Sequence, residues 1–278
     1  MDELLLPGPA IGLAALLDLP TDSIGYGWKL PALWHWMYFL ERPSQSDLGP
    51  EGHDKHGVPR PPREGLRRMY AGGRVESHRP LVLGEEADST LEVVDTRERN
   101  GRSGWMTIVT TRRTIRQRGE VAVTDEIDII YREATRLATV SPMEADPVRD
   151  EATGTEVTGT EVAVDQAYLF RFSALTYNTH RIHYDVDYCR DEEDYPGLVV
   201  HGPLQALLMS EEARRHAGSS TVSTGTRFEY RLVSPLTLGQ GLVIDAAEQD
   251  GVVVTRVRDR RGRTTATGRL IRRTPYEA

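Results

Sequence analysis

A chain that repeats its own pattern builds similar units, and a faint repeat is the strongest constraint in this sequence. Residues 74–84 read RVESHRPLVLG and residues 227–239 read RFEYRLVSPLTLG. Each copy carries Arg-apolar-Glu and then Pro-Leu-X-Leu-Gly. The first elements lie 153 residues apart and the second 155, so a two-residue insertion reconciles them. The surroundings agree. After the first Leu-Gly come strand-like stretches at Ala87–Thr96, Trp105–Ile115 and Val121–Tyr131, with a turn expected at Asn100-Gly101. After the second come Leu242–Glu248, Val252–Arg258 and Thr264–Ile271, with turns at Asp250-Gly251 and Arg261-Gly262. Residues 227–232 alternate polar and apolar, as a sheet with one buried face requires.

Each half also has a helix candidate ahead of its strands. In the first it is Pro31–Leu40, PALWHWMYFL, apolar nearly all round. In the second it is Pro203–His216, with Leu204, Leu207 and Leu208 on one face, proline at the start and Gly218 past the end. A helix followed by antiparallel strands, twice over, predicts an α+β fold in which each sheet wraps its helix. The expected division is a first half over 1–135, a linker over 136–165 and a second half over 166–278. Residues 41–66 are rich in Pro, Gly and charge and read as a long loop. Residues 133–165, with TGTEVTGTEV, lack apolar periodicity, apart from a short strand possible at their end.

Composition excludes several classes. A net charge of −8 argues against a nucleic-acid partner, which needs a concentrated basic surface. Arg67-Arg68, Arg112-Arg113 and Arg258/Arg260/Arg261 are read as solvated faces of strands and turns, one or two of them able to meet the phosphates of a nucleotide-bearing substrate. The single cysteine, Cys189, excludes an intrachain disulfide and a multi-cysteine metal site. No run approaches the roughly 20 apolar residues of a membrane helix. The N-terminal MDELLLPGPAIGLAALLDLP has no basic region before its apolar stretch, so it is read as part of a cytoplasmic protein.

The segments FRFSALTYNTHRIHYD (170–185) and YPGLVVHGPLQALLM (195–209) resemble the MaoC-like hydratase/dehydratase family, the type-2 enoyl-CoA hydratases. That family's signature runs Leu-Ser-Gly-Asp-X-Asn-Pro-Leu-His-X-Asp, followed by Ala-His-Gly at the start of a central helix. Leu175, Thr176, Ile182, His183, Asp185, His201 and Gly202 fall in register with it. The wording is most similar to the hydroxyacyl-thioester dehydratase type 2 and mesaconyl-C4-CoA hydratase branch, and PALWHWMYFLERPSQSDLGPEGH and RMYAGGRVESHRPL extend the likeness through the first half. The resemblance implies a double hotdog, two fused halves each with an antiparallel sheet around a helix. It also implies a hydratase/dehydratase of 2-enoyl thioesters, on a short branched or dicarboxylic acyl-CoA such as mesaconyl-CoA. The sequence departs from the wider signature at Asn178, where relatives carry a catalytic Asp, at His180, where they carry Asn, and at Arg181, where they carry Pro.

Adding water to a 2-enoyl thioester needs a base for the water, an acid for the α-carbon and donors for the charge on the thioester oxygen. His183 is the candidate base, since an ordinary imidazole titrates near working pH. Asn178 is expected to orient the water through its amide oxygen. The backbone N–H of Gly202, where a strand-like run enters a helix, is the expected oxyanion donor. His180, His201, Tyr177 and Arg181 are the candidate substrate contacts, with Arg181 reaching a distal carboxylate of the acyl group. Structural roles fit some of these equally: His201 as a loop hydrogen bonder, Tyr177 and Tyr184 as packing residues, and Asp185 as an acceptor that fixes its loop. A His180-X-X-His183 pair offers zinc ligands, but the segment reads as strand and loop and the next histidine is eighteen residues on, so neither metal nor redox cofactor is expected. The rival readings are a dehydratase acting on acyl-carrier-protein substrates, a non-catalytic thioester-binding subunit, and a thioesterase. A homodimer is expected from the edges of such folds.

Overall fold

The computed structural model describes residues 1–63, 65–101, 104–133, 158–218 and 224–272. The first half contributes β1 (Asp2–Leu4), α1 (Pro7–Leu16), β2 (Arg67–Ser77), β3 (Glu86–Gly101), β4 (Gly104–Gln117) and β5 (Glu120–Arg132). The second contributes β6 (Thr160–Glu161), α2 (Gln166–Thr176), α3 (Val186–Asp191), α4 (Gly202–His216), β7 (Thr226–Leu232), β8 (Val243–Gln249), β9 (Val252–Arg258) and β10 (Thr264–Arg272). Among the described residues the strands form one sheet in the order β1-β3-β4-β5-β2-β7-β10-β9-β8-β6, with every pairing antiparallel. This is the α+β, double-hotdog arrangement that the repeat and the resemblance predict.

The repeat explains the seam between the halves. Its two copies lie on β2 and β7, which pair so that Val75 faces Phe228, Arg74 faces Glu229 and Glu76 faces Arg227. Because both copies read Arg-apolar-Glu, antiparallel pairing sets a positive residue opposite a negative one on either side of a buried apolar pair. Arg227 reaches Glu76 at 2.8 Å and Glu229 at 2.7 Å. Opposite-charge cross-strand pairs of this kind add modest stability and pin the register. The Pro-Leu-X-Leu-Gly elements follow as equivalent turns: Leu81, Leu83 and Leu236 are buried, and Gly84 and Gly239 have φ of 89° and 92°.

In the second half α4 is the central helix. Leu204, Leu207, Leu208 and Met209 are buried, and the helix packs on β7 to β10. Its last turn carries Arg214, Arg215 and His216, favourable at a helix C-terminus.

The first half differs from expectation. Pro31–Leu40 is not an α-helix: only Trp34–Met37 turns, as a 3-10 helix, between Leu33 and Phe39, both of positive φ. The reason lies in its polar rings. Trp34 Nε1 donates to Glu211 of α4 at 2.8 Å, while Trp36 Nε1 and His35 Nε2 meet Asp125 of β5 at 2.7 and 3.1 Å. Satisfying buried donors toward two different partners outweighs the propensity of a bulky aromatic segment, which is modest in any case. The helix of this half is instead α1, which packs on α2 and on the Trp34–Met37 turn.

The turn expected at Asn100-Gly101 is strand through Gly101, and residues 102 and 103 lie outside those described. Most of the expected linker, 134–157, also lies outside them. Its end is described, and there β6 pairs with β8 at Thr160↔Ile244 and Glu161↔Val243. No helix among the described residues is long and apolar enough to cross a membrane.

Candidate active site

The stretch that carries the family-like wording opens as a helix, not as strand and loop. Asp165 caps α2 by accepting from Tyr168 N at 2.7 Å, a contact that supplies one of the helix's orphan donors. The helix ends at Tyr177 in the left-handed region, and Asn178 N donates back to Ser173 O at 2.9 Å. Asn178 Oδ1 then accepts from His180 N at 3.0 Å, closing an Asx turn that leads into a 3-10 turn over Arg181–His183. The amide oxygen that the sequence reading assigned to water is therefore engaged in the turn, which leaves the Nδ2 amide for the cavity that Asn178 lines. Asp185 caps α3 through Tyr188 N at 3.0 Å and binds Arg181 at 2.7 Å, a structural acceptor as one reading had it.

This local chemistry aims His183. The ring is buried, and its Nδ1 lies 2.7 Å from Val199 O. A carbonyl can only accept, so Nδ1 carries the proton and Nε2 keeps a lone pair. Val199 is itself held by Ile182 O and by the bridge to Thr237. The chain then enters α4, so Gly202, its first residue, contributes an N–H that the helix's own ladder does not use.

A cavity of about 420 Å³ opens on these groups. Asn178, His180, His183 and Gly202 line it from the second half, and His53, Arg68, Tyr70, Ile129 and Arg132 from the first. The first-half wall is set by a loop–loop clasp. Arg181 N donates to Glu51 O at 2.9 Å, and Thr179 Oγ1 donates to Gly52 O at 2.5 Å. A Cβ on Gly52 would come within 2.0 Å of Thr179 O, so only glycine permits the approach. The clasp lays the His53 ring on His180, centroids 4.1 Å apart.

Of the expected substrate contacts, His180 lines the cavity and the other three lie elsewhere. His201 is fully buried behind His183, stacked at 3.5 Å with Nε2 2.9 Å from Ser173 Oγ. Tyr177 is half exposed on the helix terminus. Arg181 is committed to Asp185 and to Pro50 O at 3.2 Å, with its guanidinium over the Tyr188 ring. The cavity also takes His53, which the sequence gives only as part of a long loop, Tyr70, which it does not single out, and Arg68, which it reads as a solvated face or a contact to a substrate phosphate. Of the other basic clusters, Arg67 pairs with Glu193, Arg112 with Glu126 and Arg258 with Asp245. Among the described residues no group of three or more His, Cys, Asp and Glu side chains is placed to hold a metal ion.

His53, His180, His183 and His201 stand in file, and all resist protonation. Burial is the main cause, and their mutual repulsion and the nearby Arg68 charge add to it for His53 and His180. Burial pulls His183 down to about 4, against the opposing hydrogen bond to Val199, and His53 down to about 3. His180 and His201 are pushed well below the ordinary range. Above pH 6.5 these rings are neutral in folded and unfolded chains alike, and stability is unaffected by them. Below it the unfolded chain binds protons that the folded protein refuses, so stability falls by up to about 1.4 kcal/mol per pH unit for each such histidine. Thermal melts should therefore show Tm dropping between pH 7 and pH 5, with a shallower drop for His201→Gln. A flat Tm over that window would show that the file carries its protons when folded.

Comparison with known proteins identifies the family of the chain. The hydroxyacyl-thioester dehydratase type 2 family matches residues 33–238, which include both walls of the cavity. A mesaconyl-C(4)-CoA hydratase of Chloroflexus aurantiacus is 42% identical over 228 residues, covering 82% of this chain and 78% of that protein. Among solved structures, a MaoC-like dehydratase from Phytophthora capsici superposes with a TM-score of 0.68 at 13% identity, over 98% of this chain and 94% of the other. A Mycobacterium tuberculosis protein with a double hotdog fold superposes with a TM-score of 0.54 at 16% identity, over 97% and 92%. The match over most of the chain, and the identity to a hydratase across it, place this protein in the hydroxyacyl-thioester dehydratase type 2 family.

Proposed function

We propose that the protein is a hydro-lyase that adds water to, or removes it from, a 2-enoyl thioester, with His183 as the base. The observation that carries this reading is the tautomer of His183: Nδ1 is held by Val199 O, so a neutral Nε2 lone pair is available beside the helix N-terminus at Gly202. In the hydration direction Nε2 takes a proton from water as the water oxygen bonds to the β-carbon. The displaced electron pair moves to the thioester oxygen, which the Gly202 N–H receives. The imidazolium then returns its proton to the α-carbon, so one water is added and His183 ends neutral. A site that keeps imidazole neutral leaves the base unprotonated and available at neutral pH, and it makes the charged ring a strong acid for the return of the proton to the α-carbon. Asn178 holds the attacking or departing oxygen through Nδ2, a role in which it needs no proton of its own.

The substrate proposed is a short branched or dicarboxylic acyl-CoA, because the 42% identical relative carries the name of a mesaconyl-C(4)-CoA hydratase. The family name favours a second reading, dehydration of 3-hydroxyacyl chains, including chains held on a carrier protein. A homodimer, a cytoplasmic location and the division into halves at 1–135 and 166–278 belong to the same proposal.

A panel of enoyl-CoA esters, followed by loss of the conjugated thioester absorbance, tests it. Turnover of a four- or five-carbon enoyl-CoA is expected. Turnover of carrier-bound substrates alone would move the assignment to the second reading, and inertness toward all of them would leave a binding subunit.

A further inference from the structure

The cavity carries a cation that nothing in the proposed reaction uses. Arg68 and Arg132 both line it; among the described residues neither forms an ion pair with a carboxylate, and Arg68 shares one side-chain hydrogen bond, with the Tyr131 hydroxyl, which leaves its other donors for a ligand. Of the neighbouring carboxylates, Glu193 meets Arg67 at 3.2 Å, while Glu51, also on the cavity wall, lies 4.0 Å from the neutral His53 ring and forms no ion pair with Arg68. The two arginines differ in position. In the β2–β5 register Arg68 faces Tyr131 and Tyr70 faces Ile129, so Arg68 and Tyr70 share one face, whereas Arg132 pairs with Arg67 on the other. Tyr70 packs against the proposed oxyanion site, its Cδ1 lying 3.6 Å from where a Gly202 Cβ would stand. Same-face neighbours on a strand are about 7 Å apart. Arg68 thus begins one such step from the thioester end of the cavity. It is also close enough to His53 and His180 for its charge to disfavour their protonation.

An exposed arginine is well solvated by water, and Arg68 is open to solvent. A ligand that fills the cavity changes this: it must replace that water with an acceptor or strand the guanidinium. The partner suited to its planar fork is a carboxylate. Resting on the hydration reading, we infer that Arg68 receives the distal carboxylate of the acyl group, so that the cavity selects the monothioester of a short dicarboxylic acid. In a four-carbon diacid the carboxyl and thioester carbons are three bonds apart, so both ends of the acyl group fall within the one cavity that Arg68 and Gly202 line. The phosphates of coenzyme A offer the same anionic chemistry, but they sit at the far end of the pantetheine arm, away from the histidines.

The test uses binding, so that it does not depend on turnover. Succinyl-CoA and butyryl-CoA share nucleotide and chain length, differ in the distal carboxylate and cannot be hydrated. Calorimetric titration should show the wild type preferring succinyl-CoA on the order of 10–100-fold, the range of a charge-assisted hydrogen-bonded pair. Arg68→Met should erase that preference while holding butyryl-CoA affinity within about threefold, and Arg132→Met should keep it. Equal affinities in the wild type, or a preference that survives Arg68→Met, would overturn the assignment. A matched loss of both thioesters in Arg68→Met would also overturn it, and would transfer the residue to a coenzyme A phosphate. Failure of the hydration reading shows separately, as inertness in the enoyl-CoA panel with the binding preference intact.

Discussion

Alanine at position 183 is expected to lower kcat/KM by about 10²–10⁴-fold, the ordinary range for a lost general base. Among the described residues no other neutral group of the cavity is held as His183 is, with one nitrogen fixed by a carbonyl at 2.7 Å and the other left as an acceptor. His180 lines the same cavity but its ring stands 5.6 Å from that of His183, and the His201 ring lies behind it. The variant should fold, because Val199 keeps its backbone tie to Ile182 and its bridge to Thr237. The pH profile gives an independent check. With His183 near 4, kcat/KM should stay level from neutrality down to about pH 5 and fall below that. A folded His183→Ala protein within threefold of wild type would dismiss His183 as the base. An acid limb centred near 6.5 would instead assign the chemistry to a solvated histidine.

Gly202→Ala is expected to be nearly as damaging, by about 10²–10³-fold in kcat/KM, the size of the effect when an oxyanion-hole donor is put out of the thioester's reach. The new Cβ would stand 2.1 Å from Leu232 Cδ1, an impossible contact. Leu232 ends β7 and is only half buried, so its side chain can swing aside, and both residues line the cavity. The fold should survive with Tm lowered by a few degrees, while the displaced leucine occupies the space in front of the helix N-terminus. The double variant Gly202→Ala/Leu232→Ala separates the causes. Recovery to within tenfold of Leu232→Ala alone would place the damage in the displaced leucine. No recovery would mean that the thioester itself needs the bare α-carbon. A Gly202→Ala enzyme with unchanged kcat/KM would show that the thioester does not need to approach the α-carbon at this position.

Periodicity is enough to read β7 to β10 and α4, because their apolar sets follow a period of two or a single helical face and local order agrees with burial. It fails at Pro31–Leu40 because the conformation there is set by Glu211 and Asp125, partners 177 and 89 residues from the tryptophans that bind them. At 166–176 the aromatic residues suggest a strand, but the Asp165 cap is the stronger signal and was legible. The chemistry of the second half is similarly local, since Asn178, His180 and His183 lie on one turn. The opposite wall is not. His53 arrives through a clasp between distant loops, and Arg68 is indistinguishable in sequence from Arg67, which spends its charge on Glu193. Arg181 shows the converse: standing two residues from the proposed base, it invites a role in the site, yet an aspartate four residues on already holds it.

The seam between β2 and β7 also bears on how such a protein can change. Were the two halves separate, identical molecules, every substitution would enter the assembly twice, and an arginine that suits one wall would appear in the mirror position of the other. Here Val75 and Phe228 face each other across the seam as different residues of one chain, and the cavity takes Arg68 and Tyr70 from one wall and Asn178 and His183 from the other. Each wall can therefore drift without dragging its counterpart along. A change at Arg68 can retune which acyl groups are admitted while the Asn178–His183 turn stays as it is, and the pairing of Arg74 with Glu229 and Glu76 with Arg227 keeps the two in register throughout.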